Sequence, residues 1–295
     1  MKRSIYLITR LYNTADKIRT CELELFLKEK YKDISIYMPY RDINEDRIEN
    51  NWKDTIFRKD IEAINNSDIL LGYWDGTEFD EGIGFEIGYA ISKGKKILIL
   101  NSDFLKYQIN YCSCVIDYPD PLIEILGIKF IKNVFEMSEA SCFYEDLLTC
   151  KKNHFDLIDL DCLDSYDPSN GISKDSVYDI YIECGNSKLY HLLYKKKNAK
   201  RCYISTRYLS DDAIESSKED LSAILNSKQV YIVLSGVELN MGSSILSGLC
   251  FGFNIPFYLV NDRLSTMLSM SGAEMPANLM IDCAAKGYID PGLLI

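Results

Sequence analysis

The stretch 69–100, ILLGYWDGTEFDEGIGFEIGYAISKGKKILIL, decides the fold of the chain around it. Two apolar runs, Ile69–Trp74 and Lys96–Leu100, have the length and composition of buried strands. Between them lie a Gly-rich loop and an apolar segment that predicts a short helix from Phe85. Strand, helix and strand in this order predict two parallel neighbouring strands joined by a crossover helix.

The same alternation extends toward the N-terminus. Strands are predicted at 4–8 and 34–38, an amphipathic helix at 15–30, and a long helix at about 45–65. Apolar strands that alternate with helices predict a parallel sheet covered on both faces. The fold class predicted from this pattern is therefore α/β.

A repeat is visible when the sequence is aligned with itself. At an offset of 160 residues, 60–101 aligns without gaps on 220–261, with ten identities in forty-two positions. The shared glycines lie at the same places in the predicted strand, loop and helix of both copies, which favours an internal duplication. The second half also opens with its own predicted strand at 179–183, helix at 187–197 and strand at 201–205.

The two copies differ where chemistry is expected. Asn240 and Leu246 stand in the second copy where the first has Asp80 and Glu86. An amide and a leucine offer no acid, base or nucleophile at neutral pH. The first half is therefore predicted to be chemically competent, and the second half is predicted to be a scaffold.

Composition excludes several classes of function. The chain has 295 residues with 33 Lys+Arg against 44 Asp+Glu, and this acidic balance argues against a nucleic-acid-binding face. Ten scattered cysteines indicate reduced thiols and a cytoplasmic protein. Cys112 and Cys114 lack a second pair, so a zinc site is not expected. The uncharged run 239–261 predicts a buried helix and a strand rather than a membrane span.

The candidate site lies in the segment that follows the strand 69–74. Open α/β sheets bind ligands at the carboxyl ends of their strands, where this segment begins. Gly82 and Gly84 are expected to allow a tight turn and close approach of the backbone to a ligand. Glu86 is expected in the first helical turn, where the helix dipole favours an ionised carboxylate that can act as a nucleophile. A helix-start acid and a loop Asp80 without catalytic roles are the alternative interpretation.

Asp60 ends a run of apolar residues spaced four apart on the helix 45–65. This spacing places Asp60 on the inward face of the helix. A buried carboxylate needs partners or stays protonated, and a protonated Asp60 beside an ionised Glu86 would form an acid and nucleophile pair. The alternative is that Asp60 caps a buried backbone group, and its counterpart Asp220 favours that interpretation.

These motifs resemble the nucleoside 2-deoxyribosyltransferase family. The likeness lies in the strand 5–7 and in the segments 60–70 and 80–90, and it covers roughly residues 1–110. The resemblance implies a flavodoxin-like domain that cleaves the N-glycosidic bond of a 2′-deoxynucleoside without a metal or an organic cofactor. Together with the repeat, it predicts two flavodoxin-like domains related by internal duplication.

The resemblance also implies roles for individual residues. Glu86 would be the nucleophile that forms a covalent deoxyribosyl-enzyme, and Tyr6 would orient it by a hydrogen bond. Asp60 and Asp80 would handle the base proton and the hydroxyls of the ligand. The family has small residues after its first strand, whereas this chain has Arg10, which could meet a phosphate or point to solvent.

A further implied contribution comes from the second half. In the resembled family a neighbouring subunit lends an Asn to the site, and Pro276-Ala-Asn278-Leu-Met280 matches that segment. In the first half, Gln108-Ile-Asn110 is a looser match. If the halves form a pseudo-dimer within the chain, Asn278 is expected at the site of Glu86 and Asn110 at its counterpart. A turn residue after proline is the alternative for Asn278.

The expected organisation is a catalytic domain at 1–152, an acidic linker at 153–175 and a degenerate domain at 176–295. The expected function is transfer of 2-deoxyribose between nucleobases. A hydrolase of deoxynucleosides or their 5′-phosphates by the same route is one alternative, and a nucleotide-sensing module without turnover is another. The expected partners are a small deoxynucleoside or deoxynucleotide and a nucleobase, with no nucleic acid and no membrane. Further homo-oligomers are compatible with this organisation.

Overall fold

The computed structural model divides the chain into two compact units. The first comprises residues 1–79, 94–105 and 128–168, and the second comprises 80–93, 106–127 and 169–295. The residues that the structure describes are 3–10, 13–43, 52–74, 80–101, 107–108, 115–116, 120–132, 178–184, 201–207, 210–234, 240–261, 267–268, 274–275 and 277–290.

Short strands and helices alternate through both units. In chain order they are β1 (Arg3–Thr9), α1 (Thr14–Lys30), β2 (Ile34–Tyr37), α2 (Pro39–Ile43), α3 (Trp52–Asn66), β3 (Ile69–Trp74), α4 (Glu81–Ser92), β4 (Lys96–Asn101), β5 (Tyr107–Gln108), β6 (Val115–Ile116), α5 (Leu122–Ile125), β7 (Lys129–Lys132), β8 (Tyr178–Glu183), β9 (Cys202–Ile204), α6 (Ala213–Leu225), β10 (Ser227–Leu234), α7 (Met241–Gly252), β11 (Phe257–Asn261), β12 (Met267–Leu268), β13 (Glu274–Met275), α8 (Leu279–Ala284) and β14 (Tyr288–Ile289).

The first unit is built on a parallel sheet with the strand order β2-β1-β3-β4-β7. Numbered by position in the chain this order is 2-1-3-4-5, the arrangement of flavodoxin-like folds. One face of the sheet forms a core in which Ile5, Leu71 and Leu98 pack with Leu23 and Leu27 of α1. This unit therefore has the predicted fold class.

The second unit contains a second parallel sheet, whose strand order is β9-β8-β10-β11-β14. This order is again 2-1-3-4-5, and its core holds Ile182, Ile204, Val233 and Val260. The two sheets thus share one topology, as an internal repeat requires. Their common origin by duplication stays a prediction.

Most predicted elements of the described chain are present. The strands predicted at 4–8, 34–38, 69–74 and 96–100 correspond to β1 to β4 within two residues. The run 239–261 divides into α7 and β11 as predicted. No helix within the described ranges has both the length and the apolar composition needed to cross a bilayer.

Several predictions fall outside the described residues. They concern the helix at 187–197, the linker and domain boundaries between 152 and 176, and the first part of the helix predicted at 45–65. The described part of that last helix is α3, which begins at Trp52 and ends at Asn66.

The predicted start of the fourth helix is wrong. Helix α4 begins at Glu81 rather than Phe85, so Gly82 and Gly84 lie inside the helix and not in a turn. Both glycines are buried, because other residues of the second unit, Asn278 and Ser244, pack against them. Glu86 is consequently the sixth residue of the helix and lies in its second turn.

Helix α4 packs closely against α7 through small residues. A Cβ added to Gly88 would overlap the backbone of Ile245 and lie 2.9 Å from the nitrogen of Leu249. A Cβ added to Gly248 would overlap the backbone of Phe85 and lie 2.7 Å from the nitrogen of Tyr89. Each residue in the first contact has a counterpart in the second that is 160 positions away: Gly88 and Gly248, Phe85 and Ile245, and Tyr89 and Leu249. The contact is therefore reciprocal, as in a two-fold interface.

Candidate functional site

The N-terminus of α4 is capped by Asp80. Its Oδ1 accepts hydrogen bonds from the backbone N–H groups of Gly82 at 2.7 Å and Ile83 at 3.1 Å. Asp80 has an extended backbone (φ −67°, ψ 131°), which is the usual conformation of an N-cap residue. The structure therefore gives Asp80 a structural role at the start of the helix, beside any role toward a ligand.

Glu86 lies one turn further along the same helix and is only 8% exposed. Residues four apart in a helix share a face, so Glu86 is on the face that begins at Gly82. Side chains in a helix lean toward its N-terminus, and Glu86 therefore leans over the turn that contains Gly82. The helix dipole falls off beyond the first turn, so the dipole argument made for Glu86 does not hold at this position.

Asn278 lies beside Gly82 in the second unit. A Cβ added to Gly82 would be 2.9 Å from Oδ1 and 3.0 Å from Nδ2 of Asn278, and 2.8 Å from Oδ1 of Asp80. Only a glycine leaves room at this position for the amide and the carboxylate together. The absence of a side chain at Gly82 thus serves the approach of Asn278 to the start of α4.

Gly84 has a different role from the one predicted. A Cβ added there would lie 2.5 Å from Cβ of Ser244 on α7. The glycine therefore allows α4 and α7 to approach each other, and its contact is with protein. The approach of its backbone to a ligand stays a prediction.

The first unit holds Tyr6 and Asp60, both of them buried. Tyr6 is 0% exposed, and its ring stacks on Tyr37 with centroids 5.4 Å apart. The hydroxyl of Tyr37 lies 3.4 Å from Oδ1 of Asp60, whose exposed fraction is 4%. The prediction that Asp60 points into the fold is confirmed.

Arg10 follows β1 and is half-buried. Its Nε lies 3.8 Å from Oδ2 of Asp16, in the first turn of α1. Asn13 caps that helix by accepting from the N–H of Asp16 at 2.9 Å. The group that faces Arg10 in the structure is thus the carboxylate of Asp16. The binding of a phosphate by Arg10 stays a prediction.

The counterpart of the candidate site in the second half contains an arginine. Arg207 is 0% exposed and donates from both terminal nitrogens to the two carboxylate oxygens of Glu183, which is also 0% exposed. Its guanidinium also lies 3.5 Å from Oδ2 of Asp220 and 3.5 Å from Oγ of Ser243, near the start of α7. Leu246, the residue that corresponds to Glu86, is fully buried in α7. Protein side chains therefore fill this region.

Burial raises the pKa of Asp220 to about 6, and the nearby carboxylate of Glu183 acts in the same direction. The backbone N–H groups of Thr206 and Arg207 donate to it at 2.9 and 3.1 Å, which opposes this rise. Asp220 therefore caps buried backbone groups, as the alternative interpretation of Asp60 and Asp220 predicts. The raised pKa also agrees with the proton affinity expected of a buried carboxylate at this position.

Asp120 is a residue that sequence reasoning missed. Asn110, expected at the counterpart site, lies outside the described residues. Asp120 instead lies against the start of α7, where a Cβ on Gly242 would overlap its carboxylate. Its Oδ2 is 3.8 Å from Nε of Arg207. The sequence Pro119-Asp120-Pro121-Leu122, similar to the segment around Asn278, is the signal that would have found it.

Comparison with known proteins assigns the family. The sequence model of the nucleoside 2-deoxyribosyltransferase family matches residues 5–147. A nucleoside deoxyribosyltransferase from Lactobacillus johnsonii is 30% identical over 117 residues, which cover 40% of this chain and 67% of the relative. One from Lactobacillus leichmannii is 32% identical over 92 residues, which cover 31% of this chain and 50% of that relative.

Two solved structures are also similar. A conserved protein from Enterococcus faecalis V583 has a TM-score of 0.33 and 28% identity, and the match covers 35% of this chain and 66% of that protein. The 2-deoxyribosyltransferase of Bacillus psychrosaccharolyticus has a TM-score of 0.32 and 20% identity, over 36% of this chain and 77% of its own. The assignment rests on the sequence matches, and the family model covers residues 5–9 of β1 and the whole of α4. By these matches the chain belongs to the nucleoside 2-deoxyribosyltransferase family.

Proposed function

We propose that this chain transfers 2-deoxyribose between nucleobases and that Glu86 carries out the transfer. The observation that carries the proposal is the arrangement at the start of α4. There a buried carboxylate, Glu86, leans over Gly82, against which the amide of Asn278 is packed. A carboxylate supplies negative charge to an oxocarbenium-like transition state, and an amide can donate to and accept from sugar hydroxyls.

The proposed reaction has two displacement steps. In the first, Glu86 forms a bond to C1′ while the N-glycosidic bond breaks, and the bonding electron pair leaves with the base, which takes up a proton. In the second, a nitrogen of the acceptor base attacks C1′, loses its proton and releases Glu86. Two inversions return the original configuration at C1′, as in retaining glycosidases. The role implied for Tyr6 in orienting Glu86 stays a prediction, as do those of Asp60 and Asp80 toward the base proton and the hydroxyls of the ligand.

The substrates proposed are small molecules, namely a deoxynucleoside or deoxynucleotide and a nucleobase. The proposal places the reaction at α4 only, since α7 carries Leu246 instead of Glu86 and buried side chains occupy its N-terminal region. The reciprocal contact of α4 and α7 supports a pseudo-dimer within the chain. One chain is therefore proposed to hold one catalytic site.

The experiment that tests the function uses the full chain with a panel of deoxynucleosides, each with and without adenine or thymine as acceptor. Transfer predicts a new deoxynucleoside in the presence of acceptor, with little free deoxyribose. Free deoxyribose with or without acceptor, and no exchange, would instead show a hydrolase. Mass spectrometry of the peptide that contains Glu86, after rapid acid quenching, should show an added deoxyribosyl group. An adduct on another residue would contradict the role of Glu86.

A further inference from the structure

Glu81, the first residue of α4, makes a contact that reaches far along the chain. Glu81 is only 3% exposed, and its Oε2 accepts a hydrogen bond of 3.0 Å from the backbone N–H of Asn278. Removing a carboxylate from water is costly unless hydrogen bonds compensate for the lost solvation. A buried glutamate at this position therefore indicates a specific function for the contact.

Asn278 is also held through its side chain. The side chain of Asn278 caps helix α8, because its Oδ1 accepts from the N–H of Met280 at 3.0 Å. Glu81 fixes the backbone of the residue, and Met280 fixes its side chain. The amide is thereby held against Gly82, where a Cβ would be 3.0 Å from Nδ2.

Glu81 itself lies on a different side of the helix from Glu86. Successive helical residues are rotated by about 100°, so two residues five apart are separated by about 140° around the axis. Gly82 and Glu86, in contrast, share a face. Glu81 therefore does not share a face with Glu86, but it holds Asn278, whose amide lies against Gly82 on that face.

The second helix of the pair has no such contact at its first residue. Met241 of α7 corresponds to Glu81 at the offset of 160, and its side chain has no carboxylate to accept a backbone N–H. At this helix the residue beside Gly242 is Asp120 instead of an asparagine. Of the two paired helices, the one that bears Glu86 is thus the one that begins with a carboxylate.

We infer that Glu81 is a positioning residue for the deoxyribosyl transfer site. It holds the segment that begins at Asn278 against the first turn of α4, so that the amide stays beside the face of Glu86. This inference rests on the proposed function, since Glu81 is assigned no contact with the substrate. Its effect on catalysis is expected to pass through Asn278.

A double-mutant cycle on the full chain tests the inference. Glu81→Ala is expected to lower kcat/KM about tenfold, and Asn278→Ala is expected to lower it about tenfold or more. The double variant should be no more than about twofold below Asn278→Ala, because the two residues act as one unit. Glu81→Gln should retain activity within about threefold of the unaltered chain, since the amide oxygen still accepts the N–H of Asn278.

Glu24→Ala is the matched control for a general loss of stability. Glu24 is a buried glutamate of α1, paired with Lys28 at 2.7 Å, and it has no assigned role in the site. At a temperature at which all variants are folded, Glu24→Ala should keep kcat/KM within about twofold of the unaltered chain. A melting temperature is measured for each variant.

The outcomes separate the inference from the function on which it rests. Unchanged kcat/KM in Glu81→Ala, or full additivity of Glu81→Ala and Asn278→Ala, would overturn the positioning role. Equal losses of kcat/KM in Glu81→Ala and Glu24→Ala would also overturn it. Full activity of Glu86→Ala would overturn the proposed function instead, whatever the result of the cycle.

Discussion

Asp120 and Asn278 occupy equivalent places at the starts of the two paired helices. Asp120 accepts the N–H of the residue two positions later at 2.9 Å, and Asn278 does the same at 3.0 Å. Asp120 lies against Gly242 of α7, and Asn278 lies against Gly82 of α4. The residue packed against Gly82 is therefore a neutral amide, whereas the one packed against Gly242 is a carboxylate within an ion-pair cluster.

The first prediction concerns Glu86→Ala. Loss of the nucleophile should lower kcat by roughly a thousandfold or more, because removal of a group that forms the covalent intermediate leaves only binding and the remaining polar groups. The rate is measured by chromatography of the product nucleoside. Circular dichroism checks that the variant is folded.

Leu246→Met is the matched control, because Leu246 is the residue of α7 that corresponds to Glu86. The substitution conserves volume in the core and should cost less than about 1.5 kcal/mol of unfolding free energy. Its kcat should match that of the unaltered chain. Near-normal activity of folded Glu86→Ala would remove Glu86 from the mechanism.

The second prediction concerns the cluster around Arg207. Arg207→Met should lower the free energy of unfolding by about 3–5 kcal/mol, because it leaves the buried carboxylates of Glu183 and Asp220 without their cation. Urea denaturation measures the change. Adding Glu183→Met to this variant should recover part of the loss, since it removes one of the uncompensated charges.

Arg201→Met is the control for this prediction. The side chain of Arg201 is 61% exposed and lies 3.4 Å from a carboxylate oxygen of Asp179. Exposed pairs of this kind contribute about 0–1 kcal/mol. A similar loss of unfolding free energy in Arg201→Met and Arg207→Met would show that the burial of Arg207 has no energetic consequence.

The third prediction is a dependence of stability on pH that Asp220 causes. Burial raises the pKa of this carboxyl from 3.8 to about 6, so the folded chain binds the proton more tightly than the unfolded chain does. The resulting stabilisation is present below about pH 4 and is lost as pH rises to about 6. Glu183 raises this pKa as well, and Arg207 lowers it.

The measurement compares the unaltered chain with Asp220→Asn at several pH values. The difference between their unfolding free energies should change by about 2 kcal/mol between pH 4 and pH 7, with the unaltered chain losing stability relative to the variant as pH rises. Groups that are distant from Asp220 titrate alike in both proteins, so their contributions cancel in this difference. A difference that stays constant across this range would contradict the raised pKa of Asp220.

Much of the fold could be predicted from the sequence because strands buried on both faces have a strong local signature. The runs at 69–74 and 97–100 contain no charged residue, and they lie in adjacent parallel strands of the first sheet. The burial of Asp60 was predictable for a related reason, since the four-residue spacing of apolar side chains shows the inward face of α3.

The start of α4 could not be predicted from local sequence. Glycines favour turns in most contexts, so Gly82 and Gly84 predict a loop. In the structure they are helical, and Asn278 and Ser244, which are distant in the sequence, lie where side chains at these positions would be. The burial of Arg207 was also beyond local sequence, since arginine is almost never fully buried unless it is paired.

The last prediction concerns the crossing of α4 and α7. Gly88→Ala should place a methyl group on the carbonyl of Ile245, and Gly248→Ala should place one on the carbonyl of Phe85. Backbone atoms in two packed helices cannot move aside as a flexible side chain can, so each variant should lose about 1–3 kcal/mol of unfolding free energy or more. Because the contact is reciprocal, the two losses should be similar.

Gly72→Ala provides the comparison, and activity provides a second measurement. A Cβ on Gly72 would lie 3.0 Å from the terminal methyl group of Ile99, which can shift, and 3.2 Å from the carbonyl oxygen of Ile8. This crowding is milder than the overlap with backbone at Gly88 and Gly248, so this variant should lose less stability than the helix variants. Moving α4 away from α7 also displaces the helix that carries Glu86. Both helix variants should therefore lower kcat while the protein is still folded. This includes Gly248→Ala, whose helix carries Leu246 in place of a catalytic carboxylate. Wild-type kcat and stability in Gly248→Ala would contradict a close crossing of the two helices.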